Sequence, residues 1–260
     1  MSYIFSRRSN AGEIEPNEVS RVRARRHGFG LPIKDLSNTN PTKVGLDWKD
    51  HDLISLAIKD NVTYDPEPRG LYRAREAISD HFALYNRNMH PDNYFLCAST
   101  SEAYSWLFKL LCDPGDAVLV PKPGYPLFQH LTELDSVQVL AYRLEYAHPS
   151  GWYVNLDELS SVLAADREKR IKAIVIINPN NPTGSYIRKT ERTTIIGLCE
   201  KYGLALIADE VFFDFPIDDN IERKTFVGED RVLTFVLDGL SKRMGLPQLK
   251  LAWITLSGPN

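Results

Sequence analysis

Four short segments of this sequence carry side chains that do chemistry, and each follows an apolar run. PKPGYP follows Ala117 to Val120 and brings the aromatic Tyr125; NPNNPTG follows Ala173 to Ile177 and brings the amide of Asn181. DEVFF follows Leu204 to Ala208 and opens on the carboxylate of Asp209; DGLSK follows Val232 to Leu237 and brings Lys242, a lone amine in a Gly/Ser-flanked turn. A partly shielded amine near other cations loses its proton and becomes a nucleophile. A fifth segment, CASTSEAYSWLF, places Ser99, Thr100 and Ser101 at the start of a helical periodicity, where hydroxyls and helix-terminal amides face an anion together.

Taken singly, each segment also reads as plain structure: a proline-punctuated turn, an aspartate that caps a helix or pairs with arginine, an aromatic filling a junction, a solvated lysine, an N-cap serine. Their placement argues for more. Ligands of open α/β sheets bind outside the carboxyl ends of the strands, and an aromatic, an amide, a carboxylate and an amine all arrive there.

The positioning elements follow from the apolar pattern. Leu71, Ala74, Ala77, Ile78, Phe82 and Tyr85 recur at helical spacing, as do Tyr104, Leu107, Phe108 and Leu111. The continuous apolar runs suit strands buried on both faces. Helices are expected near Leu156 to Lys169, with Asn155 and Glu158 as a capping-box variant, and near Lys189 to Tyr202, closed by Gly203. This alternation predicts an α/β fold: a three-layer sandwich with a mostly parallel central sheet and helices on both sides. The first 45 residues read as a polar N-terminal arm with one helix, belonging partly to a small domain, and residues 46–260 read as one large domain.

Composition narrows the partners. With 260 residues, 43% of them apolar, the chain can bury a large core, while a net charge of -3 gives no basic field for nucleic acid or an anionic membrane. The arginines of the arm, among them Arg7, Arg8, Arg21 and Arg23, are interleaved with glutamates as on a solvated face. Cys97, Cys112 and Cys199 are odd in number and lack ligand spacing, and the six histidines are scattered, so no metal site is expected and the cysteines read as structural thiols of a reducing compartment. The opening residues carry Glu13, Glu15 and Glu18 without a long apolar core, which supports neither a signal peptide nor a clean transit peptide, and no apolar run approaches ~18 residues, so a cytoplasmic location is the expectation.

Together these residues resemble the fold type I pyridoxal-phosphate enzymes, specifically the class I/II aminotransferase family. The resemblance runs from about Leu36 to the last residue and rests on NPNNPTG and on the SK segment, with a second basic residue, Lys250, eight residues later. It implies pyridoxal 5'-phosphate as cofactor and transfer of an amino group between an amino acid and a 2-oxo acid. It further implies that Lys242 holds the cofactor as a Schiff base and moves the proton at the substrate α-carbon, that Asp209 pairs with the pyridine nitrogen, that Asn181 bonds the cofactor O3' oxygen, and that Tyr125 stacks on the ring. Ser99, Thr100 and Ser101 match the phosphate turn, and Lys250, where many relatives carry arginine, adds a point charge to it. Tyr64 matches a residue that reaches the phosphate of the neighbouring subunit, which implies a homodimer with shared sites; Asn38 to Thr42 is expected over the substrate side.

The sequence also departs from that family. Phe212 stands where many relatives have a tyrosine donating to O3', so the lysine link is expected to keep its proton to higher pH. Relatives continue into a C-terminal segment that completes the small domain and carries the arginine for the substrate α-carboxylate; with the sequence ending at Asn260, this small domain is expected to be absent. A C–S lyase, a decarboxylase or a cyclising synthase uses the same scaffold, and a truncated non-catalytic cofactor-binding module is the alternative outside enzymes. Tyr186, Arg188 and Arg69 are expected to have exposed, structural roles.

Overall fold

The computed structural model describes residues 6, 8, 16–34, 40–43, 45, 48–49, 54, 66–85, 87–218 and 222–259; Asn38, Thr39, Tyr64 and most of the expected domain boundary near residue 45 lie outside them. In chain order the elements are α1 (Glu18–Gly28), α2 (Tyr72–Ala83), β1 (Tyr94–Cys97), α3 (Thr100–Leu111), β2 (Ala117–Lys122), α4 (Phe128–Leu134), β3 (Gln138–Ala147) and β4 (Gly151–Val154). They continue with α5 (Leu156–Ala165), β5 (Ile171–Ile177), α6 (Lys189–Tyr202), β6 (Ala205–Asp209), β7 (Thr234–Gly239), α7 (Leu240–Arg243) and β8 (Ala252–Ser257).

The strands form one eight-stranded sheet in the order β1-β8-β7-β6-β5-β2-β3-β4. Strands β7, β6, β5, β2 and β3 are mutually parallel; β8 lies antiparallel between β1 and β7, and β4 folds back on β3. Alternation along β5 explains the layers. Ile174 and Ile176 face a core shared with α2, α5 and α6, whereas Ala173, Val175 and Ile177 face a second core shared with α3 and α4. Each fully buried aliphatic side chain contributes about 1.5–3 kcal/mol, and a strand apolar on both faces needs helices on both sides to collect it.

Local signals set several boundaries. Helix α6 runs over the expected residues because Gly203 takes the left-handed conformation (φ 67°) and its amide closes on Cys199. Asn155 caps α5 by accepting from the Glu158 amide at 2.8 Å. The helix stops at Ala165, short of Lys169, because the Asp166 carboxylate accepts from the amides of Arg170 and Ile171 and turns the chain into β5. Leu71 and Tyr85, expected on the apolar stripe of α2, are exposed; Arg75 takes an inward position, bonding the carbonyls of Gly70 and Pro91 and the Asp92 carboxylate. Among the described residues of the arm the helical elements are α1, which buries no side chain, and the turn Pro41–Lys43.

The thiols are free, with Cys97 and Cys199 buried and Cys112 half-buried. Burial pushes Cys97 and Cys112 up to about 11 and Cys199 up to about 12, which keeps them unreactive. Among the described residues no helix is long and apolar enough to cross a membrane, and no group of histidine, cysteine and acidic side chains has the arrangement of a metal site.

Candidate functional site

Because β2, β5, β6 and β7 are parallel, the segments that follow them emerge at one rim of the sheet. Asp209 is the last residue of β6, paired with Ile177 of β5 and Leu237 of β7, so Asn178 and Asp238 are set beside it by register. Two neutral donors hold its buried carboxylate: the Tyr104 hydroxyl donates to Oδ2 at 3.0 Å and the Val211 amide to Oδ1 at 3.2 Å. Burial pushes Asp209 up to about 6; those two hydrogen bonds pull it back, Asp238 pushes it further up, and Lys242 pulls it down.

Lys242 stands in α7, immediately past β7. Burial draws its amine below the ordinary lysine value, and the field of Asp209 draws it partly back, so the group sits closer to losing its proton than a solvated lysine. Its Nζ lies 5.6 Å from the centroid of the Phe212 ring. The junction into α7 is tight: a Cβ on Gly239 would lie 2.8 Å from the Ala252 Cβ and 2.9 Å from its Cα. Only glycine lets β8 and the start of α7 approach this closely.

The NPNNPTG segment divides its amides. Asn178 donates to Glu210 Oε1 at 3.0 Å and accepts from the Ile187 amide. Asn180 accepts from the Thr183 amide and hydroxyl and donates to the Pro123 carbonyl, tying this loop to PKPGYP. Both are buried and hold the backbone in place, whereas Asn181 is half-exposed at the loop's crest. Tyr125 is half-buried, edge-on to Phe128 at 5.7 Å, and Phe128 is edge-on to Tyr104 at 5.2 Å.

Ser99 caps α3, its hydroxyl accepting from the Glu102 amide at 3.2 Å; Thr100 and Ser101 form the half-buried first turn. Lys250 is exposed, in the left-handed conformation (φ 50°) after the turn Pro247–Leu249. Tyr64 lies outside the described residues. The structure therefore brings Asp209, Lys242 and Phe212 together directly, and places Asn181, Tyr125 and the Ser99 turn on loops at the ends of neighbouring elements. Tyr186 departs from expectation: it is buried, donating to the Phe213 carbonyl at 2.8 Å, while Arg188 and Arg69 bond backbone carbonyls from the surface.

Three groups at this rim have no signal of their own in the sequence. Tyr104 belongs to the apolar stripe of α3, yet a buried tyrosine hydroxyl needs an acceptor, and it finds Asp209. Glu210 is buried beneath the rim, accepting from Asn178, Thr225 and the Phe226 amide. Asp238 is buried against Arg243.

Glu210 makes a testable contribution to stability. Burial pushes it up to about 7, against the donors that pull it down. A carboxyl whose folded value lies above its unfolded one stabilises the fold at low pH, and that contribution disappears as pH rises through the folded value. Across pH 4.5 to 7 the loss amounts to ~3 kcal/mol for Glu210. Glu210→Gln is accordingly expected to flatten the fall in stability of the cofactor-free chain between pH 5 and 8, read from urea midpoints; an unchanged slope would contradict this.

Comparison with known proteins adds the family context. Residues 37–258 match the family described as aminotransferase class I and II. The chain is 30% identical over 233 residues to the glutamate-pyruvate aminotransferase AlaA of Escherichia coli K12, covering 88% of this chain and 56% of that protein. It is also 30% identical over 248 residues to the alanine aminotransferase of Mycobacterium bovis, covering 93% and 56%. Among solved structures, an Escherichia coli aminotransferase superposes with a TM-score of 0.80 at 26% identity, covering 100% of this chain and 64% of that one. An alanine aminotransferase from Pyrococcus furiosus gives 0.80 and 26%, covering 97% and 63%. The chain thus spans little more than half the length of the curated relatives it matches.

Proposed function

Since the chain belongs to the class I and II aminotransferase family, we propose that it binds pyridoxal 5'-phosphate through Lys242 and serves transfer of an amino group between an amino acid and a 2-oxo acid. The observation that carries this reading is the pairing at the rim of a buried, partly compensated carboxylate, Asp209, with an amine, Lys242, whose proton is loosened by burial. The residues present fit the cofactor. Asp209 has neutral donors on both oxygens and keeps its charge available to a cationic partner such as a protonated pyridine nitrogen. When bound, the cofactor supplies an aldehyde that condenses with amines and a ring that draws electrons from the substrate α-carbon.

This chain's residues supply the rest. Asp209 would hold the proton on the ring nitrogen in place. Lys242 would take the proton from the substrate α-carbon and pass it to the cofactor carbon that carried the aldehyde, a role typically worth 10²–10⁴-fold. Asn181 orients O3' and the substrate carboxylate, and Tyr125 covers the ring face. Ser99, Thr100 and Ser101, with the first-turn amides of α3, take the phosphate, and Lys250 adds positive charge. Tyr64 reaches the phosphate in the partner copy of a homodimer, a reading supported by Trp106 and Leu110 of α3 and Leu127 and Leu134 near α4, which are apolar and exposed in the single chain. An arm at residues 1–45 beside a large domain at 46–260 and a cytoplasmic location complete the proposal.

The deciding experiment adds pyridoxal phosphate to the purified chain and records the visible spectrum before and after borohydride. A band that reduction fixes onto Lys242 supports the reading, and no band from a folded chain would overturn it. Alanine with 2-oxoglutarate and glutamate with pyruvate are the first substrate pairs to assay, following the relatives' names. Dependence on the 2-oxo acid distinguishes transfer from β-elimination. Phe212 yields a separate prediction: Phe212→Tyr places a hydroxyl donor beside the lysine link and is expected to lower the pH midpoint of the visible band. A midpoint that stays or rises would refute it.

A further inference from the structure

We propose that Tyr104 is a positioning residue that fixes the Asp209 carboxylate and, through Phe128, backs the ring of Tyr125. The inference rests on the cofactor-site reading given above. Tyr104 is fully buried on α3, with its hydroxyl 3.0 Å from Asp209 Oδ2. Its ring meets Phe128 edge-on (5.2 Å, 88°), and Phe128 in turn meets Tyr125 edge-on (5.7 Å, 87°). One side chain therefore links the carboxylate beneath the site to the aromatic at its side.

The chemistry of the donor matters. A lysine or arginine at this position would hold Asp209 equally well but would cancel its charge, leaving less attraction for a cation arriving from the site. A phenol supplies direction without charge. It also stays a donor, since burial and then the neighbouring Asp209 push the Tyr104 hydroxyl well above its ordinary value. The other groups facing Asp209 are the Val211 amide, Asp238 from β7 and Lys242 from α7. Of these only Lys242 carries positive charge, so Tyr104 and Val211 are the uncharged supports that favour the carboxylate over the carboxylic acid.

Removing the hydroxyl favours the neutral acid. The test uses the full chain as wild type, Tyr104→Phe, Asp209→Asn and the double variant, and reads apparent affinity for pyridoxal phosphate by visible absorption from pH 5 to 9. Tyr104→Phe keeps the ring and is expected to weaken binding about 10- to 100-fold near neutral pH, the worth of one hydrogen bond to a charged group. Its acid limb should move to higher pH, and the effect should nearly vanish in the Asp209→Asn background. An unchanged pH profile, or an equal loss in both backgrounds, would overturn the proposal. A second readout needs no cofactor: infrared detection of the Asp209 carboxyl in the free protein should show proton uptake at higher pH in Tyr104→Phe than in wild type. An unmoved midpoint would overturn the positioning role by itself, whereas a moved midpoint in a chain that binds no cofactor would refute the function proposed above and leave the role of Tyr104 toward Asp209 standing.

Discussion

Lys242→Ala should leave the chain folded and unable to capture pyridoxal phosphate covalently: treated with the cofactor and borohydride, wild type gains a stable label on the peptide containing Lys242, and the variant gains none. The amine is half-buried on a four-residue helix at the surface of the rim, so its truncation removes little packing. What it removes is the nucleophile, and the group proposed to carry the α-proton. Loss of proton transfer alone lowers turnover about 10²–10⁴-fold, and loss of the covalent link adds to it. Lys242→Arg is expected to be as inactive, because a guanidinium keeps its proton throughout the working range. A full label in Lys242→Ala, on Lys122 or Lys250 for instance, would reassign the role.

Arg243→Ala is expected to cost about 3–5 kcal/mol, the usual consequence of leaving a buried charge without its partner, against total stabilities of about 5–15 kcal/mol. Arg243 is 7% exposed and Asp238 1%. The guanidinium donates to Asp238 Oδ2 from Nε at 2.9 Å, and also reaches Asp214 and the Nε2 of His81. Burial pulls His81 down and Arg243 pulls it further, against Asp214, which favours the neutral ring beside the guanidinium. The two partners of the ion pair respond differently. Burial pushes Asp238 up to about 6 even with Arg243 beside it, whereas Arg243, although burial lowers it, ends above its ordinary value through Asp238 and Asp214. Burial is therefore felt mainly by the carboxylate. Without Arg243 the carboxyl rises further, so the variant's deficit should be largest above pH 7 and shrink toward pH 5, where Asp238 is neutral in the folded variant. Asp238→Asn in the same chain should recover part of the loss. A deficit under 1 kcal/mol at pH 8 would mean that the pair is not structurally important. Lys242 precedes Arg243 on α7, so slower cofactor capture is expected to accompany the instability.

Local residues announced much of this architecture. The apolar runs became β2, β5, β6 and β7, because a strand buried on both faces has no polar alternation to blur it, and Gly203 marked the end of α6. The hairpin of β3 and β4 was less legible: Leu140 and Tyr146 are exposed on β3, so its pattern follows neither strict alternation nor a continuous run. The strands also outlast their apolar runs, since Asp209, Asp238 and Gly239 continue the ladder while carrying polar chemistry or none. At the site, Lys242, Asp209 and Asn181 were marked by type and by following strands. Tyr104, Arg243 and Glu210 were not, because their meaning lies in partners such as Asp209, His81 and Thr225, brought close only by the tertiary fold.

The place of β8 bears on how the molecule is made. It hydrogen-bonds to β1 through the pair Cys97 and Ala252, and to β7 on its other side. During translation β1 therefore leaves the ribosome more than 150 residues before its partner. At about 5–20 residues per second that wait is roughly eight to thirty seconds. For the last part of it, between residues 239 and 252, β7 also presents an unpaired edge, the kind of surface that recruits foreign strands. Ala252–Ser257 closes both gaps at once, and the same stretch seats Gly239 and the turn bearing Lys242. A nascent chain arrested before residue 252 thus lacks the packing that seats Lys242 and leaves edges of β1 and β7 unpaired.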